Sequence, residues 1–261
     1  MPIVAHGART TLFCAVWHQD PDRHALLEGH VACLEAQSHP VEVVYVFDGG
    51  DEPPAGLPGI HVISPEPLTI YEAWNVGTQV AQTELVGDLN LDDRLRPHAI
   101  AVMEESLFAN NVDLVGGEWE VTFDRATTDA AGPLMPASTV PFSAAWPPVH
   151  GLPTRLGSGT GERGTFGPCT LWRRSLHDQV PYPHRFGNGV QIKSIGDTLW
   201  WNALIRVLGG THVRLPVLVG NYHSHPEGQA EFRLPPEQEH VASGIGLTQF
   251  PLAGLEVRSA S

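Results

Sequence analysis

Short, almost unbroken apolar runs punctuate the first half of this chain. Thr11 to Trp17, Val41 to Phe47, Ile60 to Ile63 and Leu85 to Leu91 each stop abruptly at polar or glycine-rich residues. Runs of this length predict strands buried on both faces. Between them, His24 to Gln37 carries Leu26, Leu27, Val31 and Leu34 at helical spacing, and Ile70 to Gln82 and Pro97 to Ala109 predict two more helices. Val112 to Val115 reads as a further strand. Strands that alternate with helices of this size imply βαβ units, a mostly parallel sheet and the α/β class.

Arg125 to Gly164 breaks the pattern. It is rich in Pro, Gly, Ala, Ser and Thr and has no sustained period, as expected of a functional loop or lid, with Phe142 and Trp146 as its packing anchors. Strand-like order returns at Thr165 to Trp172, helical order at Gly196 to Leu208, and a last strand at Val213 to Val219. The tail after Gln229 carries few signals and is expected to wrap the surface. One domain in three stretches results: 1–124, an irregular loop over 125–164, and 165–261.

Charge narrows the function. The chain has 29 acidic and 15 basic residues, a formal charge of −14, and Lys193 is its single lysine. A protein that coats nucleic acid or inserts into an anionic membrane needs a basic face, so both are excluded as partners. A phosphorylated ligand would need a metal or a local group of cations. Cys14, Cys33 and Cys169 are far apart and form no CxxC pair, which points to free thiols and a cytoplasmic setting. The first ten residues have no basic start and apolar run, and nowhere does the chain hold the roughly 20 apolar residues of a membrane span.

Candidate chemistry concentrates at Gly87-Asp88-Leu89-Asn90-Leu91-Asp92-Asp93, where an apolar strand ends in carboxylates. Ligands of α/β folds bind at the carboxyl ends of strands, and oxygen donors there suit a divalent cation with a phosphorylated ligand. The same residues also read as an acidic turn, with Asp93 capping the next helix. Asp48-Gly49-Gly50-Asp51 ends the second strand in a sharp turn whose carboxylate can accept from a base or ribose, or be an ordinary Asp-Gly turn. No GxGxxG follows an early strand and no GxxxxGK[ST] occurs, which argues against nicotinamide, flavin and P-loop enzymes. Asp197 opens a predicted helix bearing Trp200 and Trp201, whose rings can line a sugar-sized pocket. It can serve as a general base or as a helix cap. Arg173 and Arg174 can face a diphosphate or lie exposed beside Asp178.

In order, Trp17-His18, Val46-Phe47-Asp48-Gly49-Gly50, Ala73-Trp74-Asn75-Val76-Gly77, Leu89-Asn90-Leu91-Asp92-Asp93, Trp172-Arg173-Arg174-Ser175 and Gly196-Asp197 resemble family 2 glycosyltransferases of the GT-A fold. The resemblance covers roughly residues 10 to 225. It implies a Rossmann-like three-layer fold whose first half, 1–124, binds a nucleotide sugar while 165–261 serves the acceptor. Donor contacts would fall at Trp17, Asp48, Asn75, Asn90 and Trp200, the metal (Mn or Mg) at Asp92 and His223, and the catalytic base at Asp197. His225 competes with His223. Two positions depart from the family: Asn90 stands where the metal motif opens with an acid, and Gly196 where many members have Glu. The expected activity is a metal-dependent, inverting hexosyl or pentosyl transfer from a nucleotide sugar, UDP above others, to a hydroxyl of a small molecule or glycan. A homodimer is left open. The alternatives are a nucleotidyltransferase and a nucleotide-sugar-binding relative without catalysis.

Overall fold

A computed structural model describes residues 7–139, 168–224 and 243–259. Strand β1 (Thr10–Val16) lies at its centre, flanked in parallel by β2 (Val41–Phe47) and β4 (Leu85–Asp88). Strand β3 (Ile60–Ile63) continues the parallel set beyond β2. Successive side chains of a strand point to opposite faces, and here both faces are covered. Leu12, Cys14, Val43 and Tyr45 pack on one side with Leu27 of α1 (Arg23–Glu35) and Met103 of α3 (Ala99–Asn110). Phe13, Val44 and Val46 pack on the other with Trp74 of α2 (Ile70–Val80) and Trp200 of α5 (Gly196–Trp201). That two-sided burial is why the runs are continuous rather than alternating.

The remaining strands complete a ten-stranded sheet. They are β5 (Arg94–Leu95), β6 (Leu114–Thr122), β7 (Met135–Pro136), β8 (Leu171–Arg173), β10 (His212–His223) and β12 (Glu256–Ser259). The path is β12-β3-β2-β1-β4-β8-β6-β10-β5, with β7 also on β10. The long ladders are parallel, and the antiparallel ones are short. A second small sheet joins β9 (Arg185–Phe186) to β11 (Ile245–Gly246).

Several elements differ from expectation, each for a physical reason. β6 runs to Thr122 rather than Val115, because Glu118 is neutralised inside the sheet by the bidentate Arg214 of β10, at 2.8 and 2.9 Å. β10 extends past Pro216 by shifting register between Arg214 and Leu218, which absorbs the missing N–H. The expected helix from Gly196 to Leu208 is α-helical only to Trp201 and continues as a π-helix over Asn202–Val207. The tail is ordered at its end, where β12 covers the edge of β3. Arg125–Asp129 forms a short helix, α4, at the start of the expected loop. Residues 140–164, with Phe142 and Trp146, lie outside the described residues, as does His225.

Helix α2 is fixed by two devices. Thr69 and Glu72 form a reciprocal capping box at its start. Asn75, fully buried, donates to the carbonyls of Tyr71 and Tyr182, both at 2.8 Å, and its amide oxygen accepts from Tyr182 N–H at 2.9 Å. His177 Nε2 contacts the same oxygen at 2.8 Å. Asn75→Ala strands these partners in the core and should destabilise the fold by about 2–4 kcal/mol in chemical denaturation. An unchanged midpoint would contradict this role.

Candidate functional site

The carboxyl ends of β1, β2 and β4 open onto a cleft with two adjoining chambers. The larger, of about 660 Å³, is lined by Trp17, Asp48, Thr69, Asn90, Asp92 and Lys193 among others. The smaller, of about 260 Å³, is lined by Tyr71, Trp74, Asp88, Tyr182, Asp197 and Trp201 among others. Ile70, Asn90, Lys193 and Tyr222 line both, so the chambers meet at these residues. Each chamber draws walls from both sides of the 125–164 stretch.

In the larger chamber, Trp17 stands 56% exposed at the end of β1. Asp48 is buried beside it. Its Oδ1 accepts from the His18 N–H at 2.9 Å and lies 2.9 Å from the His18 ring, and its Oδ2 accepts from the Leu68 N–H at 3.0 Å. Asp48 thus ties the ends of β1 and β2 to the approach of α2. Gly49 is required here: its φ is +62°, and a Cβ would sit 2.9 Å from the His18 ring.

The acidic motif is held from beneath. Arg94 is buried and donates to the carbonyls of Leu91 and Asp93 at 2.9 and 2.7 Å, and to Asp129 at 2.8 Å. Asp93 does not cap α3, which starts after His98 without a side-chain cap. Instead it is wholly buried, accepting the His223 N–H at 3.0 Å and the Asn90 amide at 3.1 Å. This joins the end of β10 to the motif and brings His223 into the field of Asp92. Burial raises the proton affinity of Asp92, and His223, Arg125 and Arg94 partly offset it. Burial and the neighbouring Asp92 push Asp93 well up.

Among the described residues, no three His, Cys, Asp or Glu side chains form a ligand group. Asp92 and His223 supply two donors of suitable type. That number fits Mg²⁺ or Mn²⁺, which take their other oxygens from substrate phosphates and water. A cation would also relieve the crowding of the half-buried Asp92 against the wholly buried Asp93. The donor set therefore fits a divalent metal.

The smaller chamber has its own acidic pair. Asp197 is partly buried. Its Oδ1 accepts the Thr198 N–H at 2.7 Å and Tyr71 bonds to it, while burial raises its pKa against these bonds. Asp88 is pushed up to about 7 by burial and then by the charge of Asp197, with the Cys169 N–H opposing. Two non-glycine residues with left-handed backbone adjoin this pair: Cys169 at φ +52° and Ile195 at φ +51°. A β-branched residue there is strained, and such strain collects at functional sites. Gly196 has a steric reason, since a Cβ would lie 2.6 Å from the Tyr71 ring. A glutamate could not enter without displacing the ring that contacts Asp197.

The cleft thus gathers Trp17, Asp48, Asn90, Asp92 and Asp197, with His223 adjoining Asp92. It does not gather Asn75 or Trp200. Asn75 is a core clamp, and Trp200 is fully buried with its indole N–H on the Val180 carbonyl at 2.7 Å. Its neighbour Trp201 lines the smaller chamber instead. Arg173 pairs with Glu84 at 2.9 Å and Arg174 donates to the Thr83 carbonyl, so neither enters the cleft. Asp88 and Lys193 are additions: the sequence placed Asp88 in the acidic run and singled out Lys193 as a lone lysine, but assigned neither to the site. The isolation of Lys193 in an acidic chain was the available signal.

No protein-family model matches the sequence, and no curated protein matches it either. Solved structures do. TarS 1–349 from S. aureus in complex with UDP-GlcNAc aligns with a TM-score of 0.59 at 15% identity, over 88% of this chain and 63% of its own. Its complex with UDP gives 0.54 at 14% identity, over 86% and 63%. The mannosyltransferase PcManGT from Pyrobaculum calidifontis, in complex with GDP-Man and Mn²⁺, gives 0.53 at 15% identity, over 87% and 60%. The chain therefore spans less than two thirds of the length of these structures. At such identities the likeness shows the fold: this chain has the mixed α/β, GT-A-like architecture of these glycosyltransferases.

Proposed function

We propose that the protein is a glycosyltransferase that moves a sugar from a nucleotide diphosphate sugar to an acceptor hydroxyl with inversion. One observation carries this reading: the chamber holding Trp17, Asp48 and Asp92 adjoins the chamber holding Asp197, and Asn90 and Lys193 line both. The fold likeness to proteins solved with UDP-GlcNAc and with GDP-Man and Mn²⁺ supports it.

The donor occupies the larger chamber. The exposed face of Trp17 stacks the nucleobase, Asp48 accepts from base or ribose through its remaining lone pairs, and Asn90 binds the ribose. Asp92 and His223 would hold a divalent cation, which would supply Lewis-acid neutralisation of the diphosphate. Lys193, at the junction, adds a positive charge where the leaving group departs. The charge missing at Asn90 makes that contribution larger. Asp197 takes the acceptor proton as the acceptor oxygen bonds to the anomeric carbon, and the bond to phosphate breaks with its electron pair on the diphosphate. Burial suits Asp197 to this task, because a desolvated carboxylate is a stronger base.

Incubation with UDP- and GDP-sugars, Mn²⁺ and an acceptor panel should release nucleoside diphosphate. Pyrophosphate release would indicate a nucleotidyltransferase, and saturable binding without turnover the non-catalytic relative that Asn90 favours. Asp92→Ala should abolish metal-stimulated release. Asp197→Asn should lower kcat by on the order of 10²–10⁴ while donor binding is retained. Transfer at the parent rate would sink the base assignment. Lys193→Ala should lower kcat/KM roughly tenfold or more, and an unchanged value removes it from the site. The base acts ionised and burial raises its pKa, so activity climbs with pH through that raised value. The acid limb of kcat/KM should lie above the ordinary aspartate value of about 3.9. A limb at or below it contradicts a buried base.

A further inference from the structure

The smaller chamber has a chemical character that a neutral acceptor does not explain. Asp88, 5% exposed, lines it beside Asp197, near enough for the two charges to interact. Asp197 is engaged with Thr198 and Tyr71, whereas Asp88 has main-chain donors alone, its own and that of Cys169. Neither carboxyl forms an ion pair among the described residues. The walls around them are rings. Tyr71 and Trp74 meet edge to face at 5.4 Å, Trp74 and Tyr182 at 5.2 Å, and Trp201 closes a further side. Among the described residues the buried Trp74 indole N–H has no hydrogen-bond partner, on a side chain 6% exposed that lines this chamber. Lys193, exposed on the same wall, offers one positive charge against the two carboxyls. A ligand here must therefore bring an acceptor for Trp74, donors for two carboxyls, and the charge that Lys193 leaves unbalanced.

Neutral polyols bring the first two. A protonated amine also brings the third, and aromatic faces attract it through their quadrupoles. Charge-assisted bonds from ammonium to carboxylate are about twice as strong as neutral ones. We propose that the acceptor is a monosaccharide-sized polyol bearing a primary ammonium group, which Asp88 and the surrounding rings hold while a hydroxyl of the same ring faces Asp197. One oxygen of the acceptor takes the Trp74 N–H. The ammonium keeps its protons throughout. The hydroxyl proton passes to Asp197, and the hydroxyl oxygen bonds to the anomeric carbon as the bond from that carbon to the diphosphate breaks with its electron pair on the departing nucleoside diphosphate. Asp88 thereby becomes the residue that sets acceptor specificity. The role of Asp197 in this arrangement rests on the transferase reading above.

The test is binding, which needs no turnover. Methyl glycosides of glucosamine, galactosamine and mannosamine, each paired with its hydroxyl counterpart, are titrated into the full chain with UDP and Mn²⁺ by calorimetry. At least one amine should bind tenfold or more tightly than its counterpart. Asp88→Asn should erase that preference and Asp88→Glu should keep part of it, with near-UV circular dichroism reporting that both variants fold. Equal binding within every pair, binding of none, or an undiminished preference in a folded Asp88→Asn protein would each overturn the proposal. A thermal-shift screen with nucleotide sugars runs alongside. No shift there would count against the transferase reading itself, while the amine preference is still decided by calorimetry.

Discussion

Everything in the cleft hangs on one buried carboxyl. Asp93 has no exposure, yet it receives a main-chain N–H from His223 and a side-chain N–H from Asn90. Those two bonds pull the end of β10 onto the loop after β4, and with it the His223 imidazole, whose Nδ1 lies 3.0 Å from the Thr128 hydroxyl and whose charge acts on Asp92. The arrangement carries a cost. Two successive carboxyls are desolvated together, and their mutual repulsion and burial both favour protonation. Arg94 limits the penalty by bracing the loop carbonyls from below and adding its positive field. Under the proposed function, a divalent ion beside Asp92 would remove most of what is left. On that reading the loop holds acid groups whose cost a bound cation and diphosphate would offset.

A second constraint positions the other chamber. Tyr71 packs where a side chain on residue 196 would be, so glycine at that position is what lets the ring reach Asp197. Asn75, one turn further along α2, grips Tyr182, which walls the same chamber. Helix α2 therefore serves both sides of the cleft. Its capped start, at Thr69 and Ile70, lines the larger chamber, and its first turns fix two rings of the smaller one. Asn90, Lys193, Ile70 and Tyr222 form the seam between the chambers, where a sugar would pass from one ligand to the other.

Strands β1 to β3 and helix α2 were readable within a residue or two because burial on both sheet faces leaves uninterrupted apolar runs. β6 was half hidden. Past Val115 the apolar run gives way to Gly116, Gly117, Glu118 and Glu120, yet Arg214 of β10 makes Glu118 an interior residue and Arg96 pairs with the partly exposed Glu120. The motif residues Asp48, Asn90, Asp92 and Asp197 were legible from order along the chain, since each closes a strand or opens a helix. Orientation was not. Sequence could not tell Trp200 from Trp201, because both rings are buried in the same core cluster and only the three-dimensional packing puts Trp201 against the smaller chamber. Asn75 resembled a ligand-binding amide and is a clamp, a difference set by Tyr182, 107 positions away. Asp88 and Asp197 come together only through the pairing of distant elements, which no local pattern records.

Crystals grown with UDP and Mn²⁺, with anomalous scattering recorded at the manganese edge, test the central claim most directly. The account predicts one strong anomalous peak bonded to Asp92 and His223 and to the diphosphate oxygens, with the uracil stacked on Trp17 and Asp197 in the adjoining chamber. A nucleotide bound elsewhere, or a manganese peak away from Asp92, would contradict it.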